Sequence, residues 1–202
     1  MSKTEAEIIF DSLVSKNIWP HFKKRGYKKT GNNIRYFDNS GWGKIVNFQK
    51  SMFYNKENIN FTVNTGLYLS DAEQFHCGMQ SFEKFSESRC MVRKRIGYLS
   101  DVKKDLWFDV DSKVDREALA KTIEGYFVNY IIPYLDSVNS KNDILNFFVK
   151  GHRSDYIVAQ IETLFANGYA ELAKQQLQKE LGTSTNVHFL ETLKKISEKY
   201  SG

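Results

Sequence analysis

Amide, hydroxyl and guanidinium side chains recur at alternate positions in three segments of the chain. They are Asn47, Gln49, Thr62, Asn64, Arg93 and Arg95. Because successive side chains of a strand point to opposite faces, residues two apart share a face. Amides supply paired donors and acceptors, and arginine offers a planar fork that suits carboxylate or phosphate. The pattern predicts a recognition surface on one side of a sheet, for an acidic peptide, a nucleotide or a partner's edge strand.

A simpler interpretation of these polar residues stays open. An antiparallel sheet commonly leaves one face in water, with its polar side chains bonded to one another and to solvent. The recognition surface also depends on the register of the strands. A slip of one residue would move half of the set to the opposite face.

A basic cluster with interleaved aromatic residues lies near the start of the chain. Its cations are Lys23, Lys24, Arg25, Lys28 and Lys29. Residues 1–50 hold ten Lys and Arg against four Asp and Glu, although the whole chain carries a formal charge of only +5. Such a cluster favours contact with the phosphates of a nucleic acid. Alternatively, cations in the last turn of a helix offset its dipole, and Gly26 is a natural residue to end that helix.

No catalytic or metal-binding motif is complete. Gly41-Trp42-Gly43-Lys44 lacks the earlier glycine and the following hydroxyl residue of a phosphate loop. His76, Cys77 and Cys90 are three soft ligands, whereas structural zinc sites use four. We therefore expect no metal, no cofactor and no catalytic residue. An enzyme would need carboxylates near the arginines, and the candidates are Asp101, Asp105 and Asp109.

Length and composition are those of a globular protein. The 202 residues are 41% hydrophobic and 26% charged, and a chain of this length can bury a sizeable core. No apolar run approaches the roughly 18 residues of a membrane span, and the first residues lack the apolar core of a signal peptide. We expect a cytoplasmic protein whose two cysteines are reduced thiols.

Periodicity predicts helix, then sheet, then helices. A first helix spans about residues 4–25, with a kink or break at Pro20. Strands follow at about 34–37, 43–51, 59–69 and 90–99, with a short fifth piece at 107–108. The alternation of apolar residues predicts a sheet with one covered face. Residues 70–89 show no clear period and could form a short helix, a lid or a mobile loop, so they receive no assignment.

The second half of the chain is predicted to be helical. A helix capped by Asp115 carries an apolar stripe toward Pro133, which should end or bend it. Four more apolar stripes follow, separated by Gly151, Gly168 and Gly182. The predicted fold is α+β, with an antiparallel four- or five-stranded meander that has helices on one face, followed by a C-terminal helical bundle. Residues 1–140 would form the α+β domain and residues 141–202 a helical extension packed on it.

Several short motifs occur in an order that resembles an uncharacterised bacterial family, domain of unknown function 4304. They are Gly26-Tyr27-Lys28-Lys29, Asn47-Phe48-Gln49-Lys50-Ser51, Phe61-Thr62-Val63-Asn64-Thr65-Gly66, Arg93-Lys94-Arg95-Ile96-Gly97 and Trp107-Phe108. The resemblance covers about residues 5–135. It implies a bacterial, cytoplasmic, single-copy α+β domain, and it supplies no activity, cofactor or catalytic residue.

Our functional hypothesis is a non-enzymatic protein-binding module of the immunity or antitoxin kind. It would bind a protein partner through the polar sheet face and would not contact a membrane. Two alternatives are an enzyme that acts on a phosphate- or carboxylate-bearing substrate and a weak nucleic-acid binder that uses the basic cluster.

Overall fold

The computed structural model describes residues 2–53 and 55–200. Six strands are found in this part of the chain, all paired antiparallel. They are β1 (Lys28–Thr30), β2 (Asn33–Asp38), β3 (Trp42–Lys50), β4 (Ile59–Leu69), β5 (Val92–Arg95) and β6 (Phe108–Val110). Strands β1 to β5 lie in chain order, and β6 pairs with the other end of β4. The predicted α+β fold with an antiparallel meander is therefore confirmed.

The strand count differs from the predicted four or five because β1 was missed. Its three residues lie inside the basic cluster and show no apolar alternation. Only their pairing with β2, Lys28 opposite Arg35 and Thr30 opposite Asn33, makes them a strand. The two strands form a hairpin around the two-residue turn Gly31-Asn32, so the local signal for β1 is its turn and not an apolar alternation.

The helices surround the sheet and fill the C-terminal region. They are α1 (Glu5–Ser12), α2 (Trp19–Lys23), α3 (Ser70–Cys77), α4 (Ile96–Leu99), α5 (Arg116–Tyr126), α6 (Ile132–Asp136), α7 (Lys141–Val149), α8 (Ile157–Ala166), α9 (Ala170–Thr183) and α10 (Val187–Lys199). On the inner face of the sheet, Phe48 stacks on Phe127, and Phe10 meets Phe61 edge to face with ring centroids 5.0 Å apart. Helices thus cover this face, as the apolar alternation predicted.

Each of the two long helical segments contains a π-helical stretch just before a proline. Leu13–Ile18 is followed closely by Pro20, and Phe127–Ile131 by Pro133. Proline lacks the amide hydrogen and its ring crowds the preceding turn, so the regular bonding cannot continue through it. A wider turn accommodates this defect. The expected disturbances at both prolines are therefore local changes of helical pitch.

The strand predicted for residues 90–99 is wrong at both ends. Strand β5 begins at Val92, and after Arg95 the chain forms the helical turn α4. Gly97 explains the change of direction, because a Cβ at this position would lie 1.9 Å from the backbone oxygen of Lys104. Only glycine lets the chain pass so close to the segment that follows.

The unassigned residues 70–89 form α3 and then an irregular segment that crosses the outer face, the side of the sheet away from α1 and α5. We call residues 78–90 the strap. Phe85 of the strap stacks on Tyr68, with centroids 4.2 Å apart and rings nearly parallel. Buried Glu73 accepts hydrogen bonds from the Tyr68 hydroxyl and the Ser81 hydroxyl. The expectation of a single covered face is therefore wrong beneath the strap.

Helices α7 to α10 match the four apolar stripes. Gly151 and Gly168 end α7 and α8 with positive φ, but Gly182 lies within α9 rather than after it. The bundle contacts the first part of the chain through α3. Lys141 Nζ lies 2.6 Å from Asp71 Oδ2. The proposed boundary near residue 140 stays a prediction. Among the described residues, no helix is both long and apolar enough to cross a membrane.

Candidate functional site

The strand register places all six polar residues of the predicted surface on the outer face. Asn47 lies opposite Asn64, Gln49 opposite Thr62, and Asn64 opposite Arg95. Arg93 lies opposite Gly66, two residues further along β4 and therefore on the same side. The structure thus brings together the side chains that the sequence pattern singled out. Their role in binding stays a prediction.

A hydrogen-bonded amide ladder runs across four strands on this face. Asn47 donates from Nδ2 to Asn33 Oδ1 at 2.8 Å, and Asn64 donates from Nδ2 to Gln49 Oε1 at 2.8 Å. Arg95 donates from Nε to Asn64 Oδ1 at 3.2 Å. Asn64 is only 4% exposed, so these bonds fix its orientation. The interpretation of amides bonded to one another is therefore correct for the middle of the ladder.

The ladder ends in an arginine that is clamped on two sides. Arg95 donates to Asp105 Oδ2 at 2.7 Å, and its guanidinium lies 5.5 Å from the centre of the Trp107 ring. Trp107 Nε1 donates to the same carboxylate oxygen at 2.9 Å. Desolvation acts to raise the pKa of Asp105, but the hydrogen bonds from Trp107 and Arg95 together lower it below its usual range. Asp105 is therefore held ionised, and Arg95 has a fixed geometry.

Arg93 is held by carboxylates from two other parts of the chain. Its guanidinium donates to Glu87 of the strap at 2.8 and 3.3 Å and to Asp155 at 3.2 Å. The charged hydrogen bond to Glu87 is the main reason that the pKa of Arg93 rises above its usual value. Asp155 precedes α8, so the C-terminal region contributes directly to this surface.

These groups line an open cleft of about 350 Å³ between the strap and the sheet. We call it the arginine cleft. It is lined by Asn64, Glu87, Arg93, Lys94, Arg95, Tyr98 and Asp155. Of the six predicted residues, Thr62 is fully buried and bonds to the carbonyl of Leu106, so it does not contribute to an accessible surface. Sequence reasoning missed Glu87, Tyr98, Trp107 and Asp155, and no spacing linked them to the arginines.

The basic cluster is divided between a helix end and a strand. Gly26 ends the helical segment with φ +79°, as its capping interpretation expected. Arg25 pairs with Asp136 at 3.1 Å and Lys28 with Glu83 at 2.7 Å. Lys28 and Lys29 are neighbours on a strand, so they point to opposite faces. Only Lys23 and Lys24 remain as an exposed pair, which weakens the case for a nucleic-acid surface.

Asp105 and Asp109, two of the three carboxylates considered for an enzyme, have different partners. Asp109 accepts from Asn60 at 2.7 Å, whereas Asp105 belongs to the Arg95 clamp. Among the described residues, no group of three or more His, Cys, Asp or Glu is placed to hold a metal. Cys90 is fully buried, and desolvation raises its pKa well above the usual range of a thiol. A buried, protonated thiol is a poor nucleophile.

Comparison with known proteins gives one match. The family described as "Domain of unknown function (DUF4304)" matches residues 18–137, well over half of the chain. The matched range includes the whole sheet, the strap and α2 to α6. It ends before Asp155, the one residue of the arginine cleft that the C-terminal helical region supplies. No curated protein and no solved structure matches the chain.

Proposed function

The chain belongs to the DUF4304 family, whose description names no activity, and we propose that it is a non-enzymatic protein-binding module of the immunity or antitoxin kind. It binds one protein partner through the arginine cleft. The observation that carries this proposal is the network that holds Arg95 between Asn64, Asp105 and Trp107 before any partner arrives. A pre-ordered side chain loses little conformational entropy when it binds, so more of its contact energy becomes affinity.

The two arginines and the tyrosine that line the cleft, together with Trp107 beside Arg95, support the same proposal. Arginine, tryptophan and tyrosine are the side chains that most often dominate binding energy at protein interfaces. Arg93 and Arg95 have about a third of their side-chain surface exposed, and Tyr98 stands exposed at the rim. The cleft therefore combines fixed polar groups with accessible apolar area, which fits a folded protein surface.

The charges of the cleft indicate what the partner presents. Asp155, which pairs with Arg93, is 74% exposed. Exposed ion pairs contribute only about 0–1 kcal/mol, so a partner carboxylate can replace Asp155 at little cost. Glu87, by contrast, is largely buried and stays in place. We expect the partner to place an acidic side chain against Arg93 and an apolar or aromatic group against Trp107.

A location in the bacterial cytoplasm is part of the proposal. It is supported by the expectation of reduced cysteines, and both cysteines of the structure are free thiols, Cys77 exposed and Cys90 buried. It also agrees with the compartment in which an antitoxin or immunity protein would meet its target.

Substitution of Arg95 tests the proposal directly. We expect Arg95→Ala to weaken binding of a partner co-purified from the native host by about tenfold or more, which corresponds to about 1.4 kcal/mol. Titration calorimetry with the purified partner measures the change. Arg116→Ala is a matched control, because Arg116 also lies in an exposed ion pair, with Glu5, but on α5.

Two results would contradict this function. One is a 1:1 partner whose affinity is the same for wild type and Arg95→Ala. The other is an equal loss of affinity in Arg95→Ala and Arg116→Ala, since that would indicate a general electrostatic effect. Circular dichroism of each variant shows that the fold is retained.

A further inference from the structure

The strap divides the outer face into two clefts, and the second differs from the arginine cleft in its charge. It lies between the β1–β2 hairpin and the short helical turn Phe82–Lys84, and its volume is about 330 Å³. We call it the basic cleft. It is lined by Lys28, Thr30, Arg35, Glu83 and Lys84.

Arg35 in this cleft has no carboxylate partner among the described residues. The other six arginines of the chain each lie within 4.0 Å of a carboxylate oxygen. Arg35 instead donates from Nε to the backbone oxygen of Phe85 at 2.5 Å. Its two terminal nitrogens have no hydrogen-bond partner in the part of the chain that the structure describes, and they are not sealed from solvent. The bond to Phe85 fixes the fork while leaving its outer edge free.

The partial burial of this guanidinium is offset by the hydrogen bond to Phe85 but by no counter-charge among the described residues. Arg35 is partly buried, and desolvation lowers its pKa below the usual value for arginine. A buried cation without a counter-ion is unfavourable, and a bound anion would remove that penalty. The six other arginines show that the chain supplies carboxylates elsewhere. Of the seven arginines, Arg35 is therefore the one at which a bound anion would contribute most.

The charges around Arg35 define the class of anion. Lys28 Nζ lies 2.7 Å from Glu83 Oε2, so these two charges cancel. The remaining cations of the cleft, Arg35 and Lys84, give it a net charge of about +2. A phosphate monoester carries about −1.5 to −2 at neutral pH and has three acceptor oxygens, so it matches this charge and the planar fork better than a single carboxylate does. The Thr30 hydroxyl at the rim can donate a further hydrogen bond.

We propose that the basic cleft is a binding site for a phosphate monoester, with Arg35 as the bidentate ligand of the phosphate and Lys84 as the second cation. The cleft is wider than a bare phosphate ion needs, and the aliphatic stems of its lysines and arginine form its walls. The organic group of the monoester lies against these stems. This site uses no residue of the arginine cleft.

Binding of small phosphates to the intact chain tests the site. Titrations of the wild type with phenyl phosphate, whose organic group is apolar, and with inorganic phosphate, at low salt, compare the ester with the free ion. We expect the ester to bind at least about threefold more tightly, because only the ester contacts the stems. Arg35→Gln should weaken ester binding by about tenfold or more, since it removes the fork.

Three further variants separate the proposal from a general charge effect. Lys84→Gln alters an exposed side chain and should weaken the ester about threefold without affecting the fold. Glu83→Gln removes the one carboxylate that lines the cleft and should tighten binding by a similar factor. Arg93→Gln, in the other cleft, should leave ester binding unchanged.

The proposal is overturned if neither phosphate binds, or if inorganic phosphate binds as tightly as the ester. It is also overturned if Lys84→Gln and Arg93→Gln have equal effects. These outcomes are independent of the protein partner, because Arg95→Ala is expected to bind the ester like the wild type. A negative result for phosphate binding at the basic cleft can therefore be distinguished from a negative result for partner binding at the arginine cleft.

Discussion

Gly97→Ala is expected to destabilise the protein by about 3 kcal/mol or more and to disrupt the arginine cleft. The added Cβ would lie 1.9 Å from the backbone oxygen of Lys104 and 2.9 Å from the Leu106 Cβ. Neither neighbour is the flexible end of a side chain, so the segment 104–107 must move as a whole. Insertion of a methyl group into a tightly packed site costs about 1–3 kcal/mol, and backbone displacement adds to this.

The same substitution is expected to disturb Arg95 in the arginine cleft, because segment 104–107 carries two of the side chains that hold it. Asp105 and Trp107 clamp Arg95, and Leu106 accepts the hydrogen bond from Thr62. Urea unfolding measures the loss of stability, and the fluorescence of Trp107 reports its environment, with Trp19 and Trp42 replaced by Phe to isolate the signal.

Gly125→Ala is the matched control for Gly97→Ala. Gly125 lies within α5, and a Cβ there would meet nothing within 4 Å. Alanine in a helix is favoured over glycine by about 0.5–1 kcal/mol, so this variant should be more stable than the wild type. Equal stability of Gly97→Ala and the wild type would show that α4 does not pack on segment 104–107 as described.

The strands in which apolar and polar residues alternate were predictable from that alternation, although β4 is buried on both faces. Phe61, Val63 and Leu67 recur at even spacing, and β4 has the predicted bounds, Ile59–Leu69. Strand β1 and the helical turn α4 were not predictable from period alone. Their conformation depends on pairing with Arg35 in one case and on a close approach to Lys104 in the other. A hairpin turn sets the conformation at the first position, and close contact with the following segment sets it at the second.

The same distinction applies to the candidate site. Asn64 and Arg95 could be placed on one face because the period of a strand fixes their direction. Asp105, which binds Arg95, was among the carboxylates considered near the arginines. The two carboxylates that bind Arg93 could not be placed, since Glu87 comes from the strap and Asp155 from the helical region. Nothing in the sequence marked Arg35 as a site residue. What distinguishes it from the other arginines is that no described carboxylate pairs with it, and this is visible only in the fold.

Alkaline pH is expected to unfold the protein, with a loss of about 5 kcal/mol of stability between pH 10.5 and 11.5. Desolvation in the folded state raises the pKa of Tyr27, Tyr68, Tyr134 and Cys90 above their usual values. A group with a raised folded pKa stabilises the protein fully below its unfolded pKa, about 10 for tyrosine and 8.5 for cysteine. That contribution is lost as pH rises toward the folded pKa, by about 1.4 kcal/mol per group and pH unit.

One buried lysine opposes this trend over a limited range. Desolvation lowers the pKa of Lys44, whose ammonium donates to the carbonyls of Leu135 and Val138. A cation with a lowered folded pKa makes stability rise with pH until the unfolded lysine has also lost its proton, near pH 10.4. Above that pH its contribution becomes constant. The net fall in stability is therefore steepest beyond pH 10.5, where urea unfolding at closely spaced pH values measures it.

Two of the tyrosines provide the decisive variant. The hydroxyls of Tyr27 and Tyr134 are buried without a hydrogen-bond partner among the described residues. The double variant Tyr27→Phe, Tyr134→Phe removes two of the four responsible groups, so the fall between pH 10.5 and 11.5 should decrease to about half, about 2.5 kcal/mol. At pH 7 the variant should be at least as stable as the wild type, because it removes two unsatisfied polar groups.

Tyr98→Phe is the control, because it alters an exposed ring and should change neither the alkaline fall nor the stability at pH 7. An unchanged alkaline slope in the double variant would mean that these hydroxyls are not desolvated by folding, and the inner packing around Tyr27 and Tyr134 would then differ from that described.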